Sequence, residues 1–319
     1  MNNSRSASAV ILIRPTGFGY DPETAASNAF QQRLHDADVE QRAAIEFDGL
    51  LEALRQCGVG TTVLDPFSPA APNAVFPNNW FSTHATGEII LYPMATPSRR
   101  IERDPAIALR LAQEGSVVSR LRDLSGWEAQ GRILEGTGSL VLDRTHQFAY
   151  ACLSPRTHEK AVTEWCREMG YTPVVFIATM DGTLSGAPVY HTNVVMSVGS
   201  RFAVVCLEAM PYPGERVEVV QELERTGRQV IAITLEQMHH YVGNMLELAR
   251  ATDQPLSPGL SPAAHFIFLS RTAYEALSPD QRTALETYAQ LVPVAIPTIE
   301  TVGGGSVRCM IAEDFLPRR

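Results

Sequence analysis

The sequence predicts an α/β fold, because segments with helical periodicity alternate with short apolar segments of strand length along the whole chain. Of the 319 residues, 45% are hydrophobic and 19% are charged, which allows a large apolar core. No long linker divides the chain, and two stretches rich in Pro and Ala, residues 65–79 and 253–264, are expected to be loops. We therefore predict a single domain over residues 1–319.

The helices are indicated by spacing and by terminal signals. Apolar residues at i, i+3, i+4 and i+7 predict a helix over residues 36–56, which Gly58 would end. Ser154-Pro155 and Ser278-Pro279 each offer a cap and an N1 proline to a following helix. Two further helices are predicted near residues 213–225 and 236–250.

Strand-like runs lie between the helices, and several occur as a pair followed by a helix and a third strand. Residues 140–177 and 194–233 are examples. Such a unit recurs about every 60 residues, so the chain has room for about five units. The predicted strands are 62–64, 89–92, 140–142, 148–153, 173–177, 194–198, 202–207, 229–233, 266–269, 292–296 and 307–311.

The charge balance restricts the partners. The formal net charge is -9, whereas nucleic acid or an anionic membrane would call for a clustered Lys/Arg face. The apolar run 9–13 is too short to cross a membrane, and it leads into Arg14-Pro15 rather than a small-residue cleavage site. We therefore predict a cytoplasmic protein without a nucleic-acid or membrane partner, and leave a homo-oligomer open.

The cysteines and histidines do not indicate a metal. Five cysteines form an odd set without CxxC spacing, which disfavours both a disulfide framework and structural zinc. His239 and His240 are adjacent, so on a helix they would point about 100° apart. Gly303-Gly304-Gly305 lacks the lysine and the helix of a phosphate-binding loop. The sequence predicts neither a metal nor a cofactor.

Cys309 follows this triple glycine and is a candidate nucleophile. A cysteine attacks only as its thiolate, and flexible glycines let backbone N–H groups approach a bound group. His191 offers an imidazole and Glu135 a carboxylate, and residues spread this widely meet only through folding, as in Cys/His enzymes generally. The alternatives are a buried strand residue at Cys309 and a solvated acid at Glu135.

Four segments resemble, in the same order, the pentein superfamily of guanidine-modifying enzymes. They are Phe76-Pro77-Asn78-Asn79, Glu135-Gly136-Thr137-Gly138, His191-Thr192-Asn193 and the glycine-rich segment ending at Cys309. The superfamily, which includes arginine deiminase, dimethylarginine dimethylaminohydrolase and the amidinotransferases, shows Phe-x-x-Asp, Glu-Gly-Gly-Asp, His-x-Asp and a Gly-rich Cys. The resemblance implies a pentein α/β-propeller of five pseudo-symmetric ββαβ units around a central active site.

Other segments are similar to a citrulline-hydrolase-like (CtlX-type) branch, so that the resemblance covers almost the whole chain. They include residues 13–28, Tyr92-Pro93-Met94 with Arg99-Arg100, and Gly243-Asn244-Met245-Leu246-Glu247. The resemblance implies that Cys309 is the nucleophile, that His191 transfers protons and that Glu135 orients His191. It also implies substrate binding by the segment that holds Phe76, Asn78 and Asn79.

The chain departs from the deiminase pattern at three places. Gly138-Ser139 replaces the second Gly and the Asp of the Glu-Gly-Gly-Asp turn, and Asn79 and Asn193 stand instead of the aspartates that grip a guanidinium. An amide offers a donor and an acceptor without charge, whereas carboxylates facing a neutral group would be left unpaired. The pair therefore favours a neutral ureido group over a guanidinium. The alternative is that both asparagines cap turns. For the substrate carboxylate we consider Arg14, Arg99 and Arg308, and prefer Arg99.

The resemblance implies a mechanism in which the Cys309 thiolate attacks the ureido carbon and His191 protonates the departing nitrogen. Water then hydrolyses the thiocarbamoyl enzyme. The predicted function is a C–N hydrolase of a ureido or guanidino amino acid, with citrulline, yielding ornithine, carbon dioxide and ammonia, as the first choice. The alternatives are a dimethylarginine hydrolase, an arginine deiminase, an amidinotransferase and, from another class, a non-catalytic pentein-fold binding protein.

Overall fold

The computed structural model describes residues 6–34, 36, 38–251 and 264–319. Within them, fifteen strands form five three-stranded sheets. The middle strand of each sheet pairs antiparallel with one neighbour and parallel with the other. The fold is therefore the mixed α/β arrangement of five repeated units that the resemblance implied. Of the predicted loop 253–264, all but Ala264 lies outside the described residues.

The strands are short, as expected for a molecule built from five small sheets. In chain order they are β1 Ala9–Ile13, β2 Gly60–Leu64, β3 Phe81–Thr83, β4 Glu88–Leu91, β5 Arg120–Asp123, β6 Val141–Asp143, β7 Phe148–Cys152, β8 Thr172–Phe176, β9 Met196–Val198, β10 Phe202–Val205, β11 Gln229–Ala232, β12 Leu246–Ala249, β13 His265–Ser270, β14 Gln290–Val294 and β15 Ala312–Glu313. The sheets are β15-β1-β2, β3-β4-β5, β6-β7-β8, β9-β10-β11 and β12-β13-β14.

Helices connect the two parallel strands of each sheet, because a parallel pair needs a long crossover. In chain order the helices are α1 Pro22–Ala25, α2 Val39–Gln56, α3 Pro97–Arg100, α4 Ile107–Gln113, α5 Gly136–Ser139, α6 Glu159–Met169, α7 Thr192–Val195, α8 Pro213–Arg225, α9 Leu235–His239, α10 Arg271–Ala276 and α11 Pro279–Glu286. The short helices α5, α7 and α9 instead lie between one sheet and the next.

The two ends of the described chain meet in one sheet. The last strand, β15, pairs antiparallel with β1, with Val10 opposite Glu313. On its other side β1 pairs parallel with β2. The fifth unit is therefore completed by the last strand, which sets the segment just before β15 among the turns of the other units.

Several predicted helices are confirmed at their ends. Ser278 caps α11 and forms a reciprocal capping box with Gln281, as the Ser-Pro signal indicated. Helix α6 ends at Gly170, whose φ of 74° is the left-handed conformation of a helix stop. The predicted start of α6 at Ser154-Pro155 is wrong, because the N-cap is His158, whose side chain accepts the N–H of Lys160.

Two predicted elements beside the site are wrong. The helix predicted over 236–250 exists only as α9; Tyr241 then adopts a φ of 61°, and the chain enters strand β12 at Leu246. The strand predicted over 307–311 is a 3-10 turn over Val307–Met310, because the N–H of Cys309 turns back to the carbonyl of Ser306. In both places tertiary contacts outweigh the local apolar pattern.

A short turn precedes the strand that begins each unit, namely β3, β6, β9, β12 and β15. The middle strands β1, β4, β7, β10 and β13 are almost wholly buried, so these turns stand on a rigid apolar frame. The five turns are Pro77–Asn79, α5, α7, residues 241–245 and Val307–Met310.

Hydrogen bonds join consecutive turns, so that residues far apart in sequence come together. The bonds are Thr137 Oγ1 to Asn78 O (3.3 Å), Thr192 Oγ1 to Ser139 O (2.5 Å), Asn244 Nδ2 to Asn193 O (2.9 Å) and Arg308 N to Asn244 Oδ1 (3.1 Å). Each unit thus contributes one turn to the same region of the molecule, and the candidate functional residues lie there.

Candidate active site

A small, narrow cavity opens among these turns, and most of the residues singled out from the sequence line it. Every residue that lines it is buried, so polar groups inside it act with little competition from water. The lining residues are Thr24, Asn28, Asn73, Phe76, Asn79, Arg99, Arg156, Tyr190, His191, Gly303, Gly304, Gly305 and Cys309. Of the other predicted site residues, Glu135 bonds to His191, Asn193 contacts Cys309, and Asn78 lies next to Asn79.

His191 is held by Glu135. Its Nε2 lies 2.8 Å from Glu135 Oε2, and both side chains are buried. Burial lowers the pKa of His191 to about 4, although the bond to Glu135 acts in the opposite direction. At neutral pH the ring is therefore uncharged. With Nε2–H donated to the carboxylate, Nδ1 carries the lone pair and can accept a proton.

Glu135 is ionised despite its burial. Burial opposes the charge, but Arg156 and the bond to His191 outweigh it and lower the pKa of Glu135 to about 2. Arg156 Nη1 lies 3.7 Å from Glu135 Oε2, and the N–H of Ala95 donates to Oε1 over 2.9 Å. The carboxylate is fixed on both oxygens, so it can orient the imidazole.

Gly138 makes room for this arrangement. A Cβ at this position would stand 2.3 Å from Asn79 Nδ2 and 2.9 Å from His191 Nδ1. Glycine is therefore required by the close approach of two functional side chains from neighbouring turns.

The sulfur of Cys309 is flanked by two amide side chains. Asn244 Nδ2 lies 3.3 Å from Sγ, and Asn193 Nδ2 lies 3.5 Å from it. The residue is 3% exposed, on the cavity wall next to the three glycines. Asn244 was missed as a site residue although its segment belongs to the resemblance, because the helix predicted over residues 236–250 placed it in a helix interior.

Arg99 holds the side chain of Asn79. Its Nη1 donates to Asn79 Oδ1 over 2.8 Å, and its Nε and Nη2 bind both oxygens of Glu102 at 2.8 Å. Nη2 also donates to the carbonyl of Phe76 over 3.3 Å. Burial works against the charge of Arg99, but Glu102 outweighs it and raises the pKa of Arg99. Four of the five N–H donors of Arg99 are thus engaged within the protein.

The other arginines considered for the substrate carboxylate lie elsewhere. Arg14 is half exposed and faces Asp48 and Asp65 at 3.8 Å. The side chain of Arg308 binds the carbonyl of Ile311 and the carboxylate of Glu313.

Phe76 and Asn78 occupy different surroundings. The ring of Phe76 packs under the glycines, where a Cβ on Gly303 would come within 2.7 Å of it. Asn78 is fully buried, and its amide atoms have no hydrogen-bond partner among the described residues. The ring of Phe76 therefore forms part of the cavity wall. Asn78 contacts the neighbouring turn, α5, through its backbone carbonyl, which accepts a hydrogen bond from Thr137 Oγ1.

A segment before α2 contributes to the cavity wall and binds the glycine-rich segment, and no residue of it was predicted as a site residue. Asn28 Nδ2 donates to Gly304 O and Gln31 Nε2 to Val302 O, each over 3.1 Å. Gly304 has a φ of 64°, and a Cβ there would lie 2.5 Å from Asn28 Nδ2, so glycine is needed on both counts. Thr24 and Asn28, which both line the cavity, belong to the resembling segment 13–28, whereas Gln31 carried no signal.

Neither a metal centre nor a membrane segment is found in the described part of the chain. No three His, Cys, Asp or Glu side chains among those residues are grouped so that they could hold a metal ion. None of the helices described there has the length and hydropathy that a membrane crossing requires.

The five-unit fold and the turns that meet at its centre define a protein of the pentein class. Residues 14–316 match the family model described as N,N dimethylarginine dimethylhydrolase, eukaryotic. The chain therefore belongs to this family of C–N hydrolases, within the pentein superfamily. A comparison with curated protein sequences finds no match.

Solved structures show the same fold at low identity. The N-terminal domain of ArgZ, an arginine dihydrolase from cyanobacteria, has a TM-score of 0.71 at 13% identity, with 95% of this chain and 96% of that domain covered. AgrE with L-arginine has a TM-score of 0.71 at 13% identity, and the match covers 98% of this chain and 41% of the AgrE chain. DDAH from Pseudomonas aeruginosa, in complex with citrulline, has a TM-score of 0.63 at 15% identity. That match covers 97% of this chain and 100% of the DDAH chain. The chain spans 40% of full-length ArgZ.

Proposed function

We propose that this chain is a cysteine-dependent hydrolase of a ureido amino acid, with citrulline as the preferred substrate. The observation that carries the proposal is the orientation of Asn79. An arginine side chain has only donors, so the atom that faces Arg99 must be the acceptor Oδ1. Asn79 lines the cavity, and its Nδ2 has no hydrogen-bond partner among the described residues.

A free N–H donor suits a ureido group better than a guanidinium. The ureido carbonyl accepts hydrogen bonds, whereas every polar hydrogen of a guanidinium is a donor, and two donors facing each other leave both unpaired. No acidic side chain is among the described residues that line the cavity. A cationic substrate group would therefore lack a counter-charge on the cavity wall, which is costly in a buried site.

A free acceptor complements this donor. Asn73 also lines the cavity, and its Nδ2 donates to Asp21 and to Thr24. Its Oδ1 has no partner among the described residues and can accept an N–H of the substrate. The two asparagines thus offer one donor and one acceptor, as a neutral substrate with a carbonyl and N–H groups requires.

The uncharged His191 fits a reaction that begins with proton transfer. Nδ1 takes the thiol proton of Cys309, and the thiolate attacks the ureido carbon. The bond between this carbon and the side-chain nitrogen breaks, and the imidazolium returns the proton to that nitrogen, which leaves as the amine of ornithine. The carbamoyl group remains on sulfur as a thiocarbamate. Water, deprotonated by His191, releases carbamate, which decomposes to carbon dioxide and ammonia.

Arg99 has an orienting role in this proposal. The sequence suggested that it binds the substrate carboxylate, but four of its five donors already bind Glu102, Asn79 and Phe76. It therefore acts on the substrate through Asn79. Asn193 lies against the sulfur of Cys309, and its expected contact with the substrate stays a prediction.

The second candidate is hydrolysis of dimethylarginine or of arginine. The matching family model favours dimethylarginine, and the similarity to ArgZ favours arginine that is carried through to ornithine. Both use the same thiol and imidazole. They differ from the first candidate in requiring the cavity to accept a guanidinium.

Turnover of L-citrulline, L-arginine and asymmetric dimethylarginine tests the proposal, with ornithine, citrulline and ammonia followed in parallel. We expect ornithine from citrulline, and no product with Cys309→Ala. Citrulline formed from either arginine derivative, without turnover of citrulline itself, would overturn the substrate assignment and keep the thiol mechanism. If none of the three compounds is turned over, but calorimetry shows that citrulline binds, the non-catalytic binding protein is favoured.

A further inference from the structure

We propose that Asn244 is a further catalytic residue, which stabilises the thiolate of Cys309 through an amide N–H···S hydrogen bond. Asn244 is fully buried and lies in the turn that precedes β12. Its Nδ2 stands 3.3 Å from Sγ, the shortest of the hydrogen-bonding distances that Sγ makes within the described residues. This inference rests on the proposed role of Cys309 as the nucleophile.

The orientation of the Asn244 amide is fixed by backbone groups on both sides. Its Oδ1 accepts the N–H of Arg308 over 3.1 Å, which only an oxygen can do. Its Nδ2 donates to the carbonyl of Asn193 over 2.9 Å, which only the nitrogen can do. Nδ2 has two hydrogens, so the second is available to the sulfur. The donor therefore faces Cys309 before any substrate arrives.

The hydrogen-bond donors in contact with the sulfur are uncharged. Within the described residues, its side-chain hydrogen-bond partners are Asn193 and Asn244, which are both uncharged. His191 is neutral because burial lowers its pKa to about 4, and the side chain of Arg308 is bound to Glu313. The ureido group of the proposed substrate is uncharged and brings no cation to the sulfur either. Arg99 and Arg156 also line the cavity, but Arg99 is held by Glu102 and Asn79, and Arg156 faces Glu135 at 3.7 Å. The direct side-chain hydrogen bonds to negative charge on sulfur therefore come from the two amides, and hydrogen bonds to the charged form favour that form.

The experiment measures the pH dependence of alkylation of Cys309 by iodoacetamide, followed by mass spectrometry of the peptide that contains it. The reagent reacts with the thiolate, so the midpoint of the rate against pH reports the thiol pKa. Asn244→Asp keeps the shape and an acceptor for the N–H of Arg308, but places an acceptor or a negative charge beside the sulfur. We expect the midpoint to rise by on the order of one pH unit or more.

Two further variants make the outcome decisive. Gln221→Glu makes the same amide-to-acid exchange at an exposed position of α8 and should keep the wild-type midpoint. Asn244→Ser removes the donor without adding a charge, and should also raise the midpoint. A folded Asn244→Asp with the wild-type midpoint would overturn the inference. If circular dichroism shows that Asn244→Asp does not fold, the Asn244→Ser variant is used instead. A raised midpoint then supports the inference, and a wild-type midpoint overturns it.

Alkylation needs no turnover, so this test separates the role of Asn244 from the identity of the substrate. An enzyme that proves inactive on citrulline can still show the expected shift. Conversely, an active citrulline hydrolase whose midpoint does not respond to either Asn244 variant would keep the proposed function and lose this inference.

Discussion

The guanidinium of Arg99 donates to the side-chain oxygen of Asn79 over 2.8 Å, and so turns the amide nitrogen of Asn79 away from itself. Arg99 is in turn held by both oxygens of Glu102, three residues along the chain. The ion pair of Arg99 and Glu102 thus determines that Asn79 presents its amide nitrogen, rather than its oxygen, to the cavity. The selectivity of the site is expected to depend on this arrangement rather than on a charge of its own.

Asn79→Asp is expected to reverse the preference for a neutral substrate. The aspartate still accepts from Arg99 with one oxygen but presents the other to the cavity, where it repels a ureido carbonyl and attracts a guanidinium. We expect kcat/KM for citrulline to fall by about 10- to 100-fold, and the ratio of arginine to citrulline turnover to rise. Steady-state kinetics on both substrates measures this ratio, and an unchanged ratio would show that the orientation of Asn79 does not set selectivity.

Glu102→Gln is expected to destabilise the protein strongly. It leaves Arg99 as a buried cation without its bidentate partner, and loss of one member of a buried pair costs about 3–5 kcal/mol. The matched control is Glu222→Gln, in the partly exposed pair with Arg225, for which less than about 1 kcal/mol is expected. Urea unfolding followed by circular dichroism compares the two. Equal losses would mean that the buried pair contributes no more than a surface pair.

The fold was predictable from the sequence to the level of its repeating unit. The strand pair, helix and strand that recur along the chain reflect local apolar patterns, which survive in the structure because each sheet buries its middle strand. The closure of the first sheet by β15 carried no local signal, since it joins Val10 to Glu313 across the whole chain. That residues 1–319 form one domain stays a prediction.

The site was predictable where a motif marked it, and not where the fold alone creates a contact. Cys309, His191 and Glu135 were singled out because their segments resemble a family, and the structure places them in or beside one cavity. The contact of Arg99 with Asn79 depends on how α3 packs against another turn, and the position of Asn244 depends on a turn where helical periodicity predicted a helix. Buried hydrogen-bonding partners of this kind are set by tertiary structure, on which sequence spacing is silent.

Activity is expected to persist well below the ordinary titration range of histidine. Because burial lowers the pKa of His191 to about 4, the ring stays able to accept the thiol proton until the pH approaches that value. The acid limb of kcat/KM should therefore lie near pH 4 rather than near 6.5. A pH–rate profile on citrulline measures it, and a limb near 6.5 would indicate a solvated imidazole.

Glu135→Gln provides the companion measurement for this profile. The amide can still contact Nε2 but cannot hold the ring in one tautomer by charge, so kcat should fall on the order of 100-fold or more while KM changes little. A loss confined to KM would instead assign Glu135 to substrate binding.

His84 is expected to make the folded state sensitive to acid. It is 6% exposed, and burial, followed by the charges of Arg144 and Arg122, lowers its pKa from 6.5 to about 3. Between these two values the unfolded chain binds a proton that the folded protein does not, so stability is complete above pH 6.5 and falls as the pH drops toward 3. The loss should amount to about 1.4 kcal/mol per pH unit well inside this window.

His84→Gln tests this by removing the titrating group while keeping a side chain that can bond to Ser82, whose Oγ lies 2.9 Å from His84 Nε2. Urea unfolding at a series of pH values between 7 and 4.5 should give a shallower slope of the unfolding free energy against pH, by about one proton. His191 contributes in part of the same window in both proteins, so the difference between them isolates His84. Equal slopes in the wild type and His84→Gln would mean that His84 takes up its proton equally in both states, so the acid sensitivity would have to originate elsewhere.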